Sequence, residues 1–183
     1  MKNQNNLEKT FNHVETPEVV YSHGLGRVRD LIPQIPELKK NRVLFFFDGA
    51  REKSYEEVQI LSSLGIYSGI VIHEKSNWEK LTDLLYYALC SRAPHAPIEP
   101  FQYAFDTYQR NKLVDYGTVS SLVTRHLSLY HSSLHPFFYE ATPCAACAGW
   151  RVCLGKYAKT EDKSGCSAFS TELLTLIDSI KYY

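Results

Sequence analysis

Neither sign of charge predominates in this chain: 20 Lys and Arg stand against 20 Asp and Glu over 183 residues. A protein that grips nucleic acid through its phosphates normally carries a basic excess, so no nucleic-acid partner is expected. Long apolar stretches are missing as well. The strongest, VLFFF at 43–47, has about five residues where a membrane span needs ~20, so no membrane partner is expected either. The opening residues MKNQNNLEKTFNHVETPE hold no apolar segment of the secretory kind, which points to a cytoplasmic chain with reduced thiols. Cysteine is scarce, and its count of five is odd, so a complete disulfide set is not expected. Internal repeats and low-complexity tracts are absent.

The length suits one compact domain, or one domain with a small appendage. Residues 1–16 are polar and read as a flexible arm. Residues 17–116 read as an α/β domain. PEVVYSHGLG gives a strand that ends in a glycine turn at Gly24 and Gly26, and RVRDLIPQIPELKKN a helical segment broken by Pro33 and Pro36. RVLFFFDGA is the clearest strand, apolar enough to be buried on both faces. SYEEVQILSSLG predicts a helix with Ser54 and Glu57 as its capping box and Gly65 at its end. IYSGIVIHE is a further strand, and SNWEKLTDLLYYALCSR a helix capped by Ser76 or Asn77. Strand and helix in alternation mean βα units on a parallel sheet, about three of each over residues 18–92. RAPHAPIEPFQY, with its prolines, is expected to leave that pattern as an extended crossing. Residues 117–183 read as a helical and Cys-rich module, with a helix over 117–131 and a terminal helix capped by Ser170.

Four of the five cysteines fall within 24 residues, spaced Cys144-X2-Cys147-X5-Cys153-X12-Cys166. Clustered beside Pro143, Gly149, Gly155 and Gly165, they point to a four-thiolate metal site. Tetrahedral sulfur suits Zn²⁺ and an iron–sulfur cluster alike. Cys90, alone on an apolar helix, reads as buried filler.

The segment CAACAGWRVC resembles the CX2CX5C stretch of SPASM domains, which follow the radical S-adenosylmethionine (SAM) barrel in peptide-modifying enzymes. GWRVCLGK and LTDLLYYALCSRAPHAPIEPF are similar to the C-terminal half of such maturases, and the likeness runs over residues 18–181. The resemblance implies part of a TIM-like barrel, with Cys144, Cys147, Cys153 and Cys166 ligating one auxiliary [4Fe–4S] cluster. SPASM domains continue with CX3C, whereas here the fourth cysteine follows twelve residues on, so a second full cluster is not expected. The CX3CX2C triad that would cleave S-adenosylmethionine occurs nowhere in the chain. The resemblance therefore implies an auxiliary cluster-binding part of a peptide-modifying system. Its partners would be a precursor peptide, a radical SAM subunit carrying the triad, or both. Trp150 and Arg151 would shield the cluster and direct charge toward its sulfurs. A non-catalytic binding module with a structural zinc is the alternative reading.

Other constellations are weaker. Asp48, Arg51, His73 and Glu74 fall at or just beyond strand ends, the edge where α/β sheets place substrate or cofactor. Gly24-X-Gly26 imitates a dinucleotide turn, but Arg29 stands at the third glycine position. His95 with Glu99 forms a conceivable acid/base pair, and His131 with His135 a conceivable pair of imidazoles. A rigid crossing and simple exposure explain these pairs more directly.

Overall fold

The computed structural model describes residues 19–22, 24–26, 28–108, 110, 144, 147–149, 153, 157 and 159–183. Four strands form one sheet: β1 (Val19–Ser22), β2 (Leu44–Asp48), β3 (Ser68–Val71) and β4 (Ile98–Glu99). They are all parallel and stand in chain order, β1-β2-β3-β4. The helices between them are α1 (Ile35–Lys40), α2 (Ser54–Ser63) and α3 (Trp78–Cys90). Beyond β4 come α4 (Phe101–Thr107) and the long α5 (Lys163–Tyr182). The α/β class and the parallel βα construction agree with the alternating pattern.

The register divides the sheet into two faces. Phe45 and Phe47 on β2 are matched with Ser68 and Ile70 on β3, and Ser68 with Ile98 on β4. This face packs on α2 and α3 through Val58, Leu61, Leu81, Leu84 and Leu85, all buried in one core. Ser68 belongs there because its hydroxyl donates to the Val58 carbonyl at 3.1 Å. The alternate row is Phe46, Gly69 and Glu99, on the opposite face. The Phe46 ring lies over Gly69 so closely that a Cβ there would be 2.5 Å from it, so glycine is required at this position.

Four expectations need correction. The proline-rich stretch does not simply leave the pattern: Ile98–Glu99 joins β3 as a fourth strand, and α4 follows at once. Two residues between prolines carry too little periodicity to read as a strand. Ser54 is the first residue of α2 and makes no side-chain cap, and Glu57 turns away from the helix end to accept from the Leu25 amide at 3.1 Å. Helix α5 begins seven residues before Ser170. Asp162 caps it by accepting from Gly165 N–H, and Ser170 is buried within it. Cys90 is exposed at the end of α3 rather than buried. The capping of α3 by Asn77, which accepts from Lys80 N–H at 3.1 Å, is as expected. The arm at 1–16 and the helix over 117–131, with His131 and His135, lie outside the described residues.

Candidate functional site

Helix α5 lies against α3, and the contact is aromatic. Phe169 is fully buried between Trp78, at 5.9 Å between ring centres, and Phe101, at 6.2 Å. Tyr157 meets Trp78 edge-on at 5.4 Å. The Trp78 indole N–H donates to the Thr160 hydroxyl at 3.3 Å, and that hydroxyl donates to the Glu74 carbonyl at 2.7 Å. The segment before α5 is therefore tied to the loop at the carboxyl end of β3.

Cys166 sits in the first turn of α5 and is buried. Cys153 is buried in the same core, while Cys144 and Cys147 are half-buried. Backbone bonds from Cys147 N–H to the Cys144 carbonyl (3.1 Å) and from Cys153 N–H to the Gly149 carbonyl (3.3 Å) hold two turns of this stretch. Gly149 is pressed against α5: a Cβ there would lie 2.4 Å from the Ser170 side chain. Only glycine lets the cysteine-bearing backbone approach the helix so nearly.

None of these cysteines is in a disulfide. Burial pushes the Cys166 thiol up to about 12. The fields of Cys153, Cys144 and Cys147 add to the rise, and a hydrogen bond from Ser170 opposes it. Four thiols thus share one neighbourhood around the start of α5. Among the described residues, no three His, Cys, Asp or Glu side chains stand close enough to share a single ion. Trp150 and Arg151 lie outside the described residues.

The strand edge collects the other candidates. Asp48 ends β2 and reaches His73 just after β3, with Oδ1 at 2.6 Å from Nε2. Lys75 N–H donates to His73 Nδ1 at 3.2 Å, so the proton lies on Nε2 and points at Asp48. Burial works against the Asp48 charge. The Ala50 amide, at 2.8 Å, and the His73 ring outweigh it with help from Arg51, and the carboxyl stays below its ordinary value. Arg51 does not join this pair directly. It turns to Glu57, 3.6 Å away, under the Gly24 turn. Glu74 takes part through its backbone carbonyl.

Sequence reasoning paired Glu99 with His95 and set the pair aside, whereas Glu99 stands at this edge. It is matched in register with Gly69 on the face of Phe46, and accepts from Tyr103 N–H at 3.2 Å. Burial raises its carboxyl to about 7, against the Tyr103 hydrogen bond and with a contribution from Asp106. The period-two register from Phe46 through Gly69 was the available signal, but it requires β4 to be recognised first. His95 is not its partner. It precedes β4, at the amino end of the sheet, where its Nδ1 contacts the Ala96 carbonyl at 3.0 Å and its ring stacks on Tyr87. There it lines an open cavity of about 440 Å³ with Lys39, Gly65, Tyr67 and Pro94. The Gly24–Gly26 turn is used by Glu57 and Arg51, which occupy the space beside Gly24.

Compared with family models, curated proteins and solved structures, the chain matches none.

Proposed function

We propose that the chain is the auxiliary iron–sulfur-cluster-binding part of a peptide-modifying system whose S-adenosylmethionine-cleaving cluster is supplied by other sequence. The observation that carries this reading is the gathering of four thiols outside any disulfide, Cys144, Cys147, Cys153 and Cys166, at the start of α5. Tetrahedral sulfur suits one zinc ion and a cluster alike, and among the described residues no three of the donors stand close enough to hold a single ion.

The sheet is in keeping with a barrel segment. Parallel strands stand in the order 1-2-3-4, and crossovers of the usual right hand would put their helices on one face, as in a TIM-like barrel. Phe46, Gly69 and Glu99 then face the concave side, and Asp48, His73 and Glu99 stand at its carboxyl edge, where a peptide would lie. The Thr160 hydroxyl ties the segment before α5 to the Glu74 carbonyl, next to that edge. When bound, the cluster supplies electron transfer or an anchoring point, while these side chains orient the peptide.

Metal and acid-labile sulfide analysis of protein purified without oxygen tests the reading. Brown protein with iron and sulfide, both lost in the Cys147→Ala and Cys153→Ala variants, is the expected result. A colourless protein with one zinc would replace it by the stapled binding module, and absence of both metals would end it.

A further inference from the structure

At the end of the sheet opposite Asp48 and His73, the connections into β2, β3 and β4 converge on the open cavity of about 440 Å³. Lys39 from the last turn of α1, Tyr67 just before β3 and His95 just before β4 all line it. Lys39 lies across Gly65 at the end of α2, where a Cβ would be 2.8 Å from its Nζ. The carbonyls of Ile60, Leu61 and Ser62 at that helix end already accept from the Leu64, Ile66 and Gly65 amides. His95 is anchored through Nδ1, which stands 3.0 Å from the Ala96 carbonyl and 3.4 Å from the Ser62 hydroxyl oxygen. That hydroxyl gives its own proton to the same carbonyl. Both neighbours therefore accept, so the ring proton sits on Nδ1 and Nε2 keeps its lone pair. Stacking on Tyr87, 4.9 Å between ring centres, fixes the ring plane. Charge accumulates here too. Lys40 ends α1, Arg42 follows it and Arg92 follows α3, whereas across 35–43, 63–67 and 91–97 the only acid is Glu37, which accepts from the Asn41 side-chain amide at 3.0 Å. None of these four cations makes an ion pair among the described residues. In a chain without net charge this is a local positive field.

We infer that this cavity binds the phosphate group of a small molecule of mononucleotide size, with Lys39 as counter-charge and His95 Nε2 as the hydrogen-bonding partner that orients it. Ionic hydrogen bonds are the strong ones, and an ammonium serves phosphate as a point charge. Phosphate meets Nε2 in either of two ways. As a monoanion it donates its own O–H to the lone pair, and as a dianion it accepts from the ring once the ring holds that proton. Tyr67, 40% exposed, adds a flat wall for a ring joined to the phosphate. The cavity falls within the ~300–1,000 Å³ of small-molecule sites. It lies at the amino end of the sheet, away from the strand edge of Asp48 and His73, and does not depend on the cluster reading.

The test uses the full chain with adenosine monophosphate as probe and adenosine as its phosphate-free counterpart. Calorimetric titration is expected to find the nucleotide bound, adenosine at least about 10-fold weaker, and inorganic phosphate in competition with the nucleotide. Lys39→Gln is expected to weaken nucleotide binding about 10-fold and Lys39→Arg to restore much of it. Lys39 is exposed, so the fold should survive both changes, and circular dichroism checks it. Lys53→Gln, at an exposed lysine beside the opposite edge of the sheet, is expected to leave binding unchanged. In NMR spectra the ring protons of His95, identified by their loss in His95→Gln, are expected to shift on adding inorganic phosphate while those of His73 stay in place. Adenosine bound as tightly as its phosphate would overturn the inference, as would equal weakening by Lys39→Gln and Lys53→Gln. A His95 signal indifferent to phosphate and nucleotide would overturn it as well. Retention on heparin without nucleotide binding would replace the cavity by a surface for an extended polyanion.

Discussion

Glu99 shows how one position inherits its chemistry from its neighbours. Its match with Gly69 places it on the face away from α2 and α3, next to a residue without a side chain, where burial holds its carboxyl at about 7. The folded state therefore keeps a proton that the unfolded chain releases at its ordinary value near 4.5. Between those two values the native state binds more protons, so stability falls as pH rises, and the cost is complete above pH 7. Glu99→Gln keeps an acceptor for Tyr103 N–H and removes the charge. Chemical denaturation at several pH values is expected to find the variant equal to wild type at pH 4 and about 2 kcal/mol more stable at pH 8, after discounting for partial exposure. A gap that does not change with pH would mean that Glu99 is solvated. Asp48 behaves in the opposite sense. Its lowered carboxyl contributes stability above the ordinary Asp range, and that contribution is lost as pH falls through the folded value.

At the scale of elements, α5 is held by what it buries. Phe169 has no exposed surface and touches two aromatic rings from α3 and α4, so Phe169→Ala opens a cavity at the junction of three helices. A loss of roughly 3–5 kcal/mol in urea denaturation is expected, and a loss below 1 kcal/mol would mean that the helix re-docks without it. The element pattern was readable where burial is strong and regular. VLFFF on β2 is buried on both faces, and the apolar stripe of α3 faces the core, so both announced themselves. It was unreadable where a long-range bond outbid a local one. Glu57 fits a capping box by spacing, but the Leu25 amide 32 residues away takes its oxygen. Ser170 fits an N-cap by type, but Asp162 starts the helix earlier and leaves Ser170 to meet Cys166. The spacing of the cysteines pointed to one shared site. Nothing local could tell that Gly149 would be pressed on α5 or that Ser167 would face Cys147.

Across the whole molecule, two of the thiols share the core of the sheet. Cys153, Tyr157 and Cys166 belong to the same buried cluster as Phe47, Ile70, Leu81 and Trp78, which runs from the sheet through α3 to α5. A core that is shared should melt together, so the cysteine stretch and the sheet are expected to unfold in one transition. Cysteine alkylation across a urea series, mapped residue by residue, reads this directly. Cys90, exposed at the end of α3, serves as the internal reference and is expected to react in native protein. Cys153 and Cys166 are buried and are expected to react only as the sheet unfolds, with the midpoint that circular dichroism gives for the helices. On the proposed reading, a metal bound by the native thiols would stabilise this shared unit, so loading it is expected to move both midpoints upward together. If Cys166 became reactive at a lower urea concentration than the circular dichroism midpoint, α5 and its thiols would be opening alone. The centre would then be a detachable clasp on the sheet. Coincident midpoints would make it part of the fold, with the state of the thiols felt at the strand edge through Thr160 and Trp78.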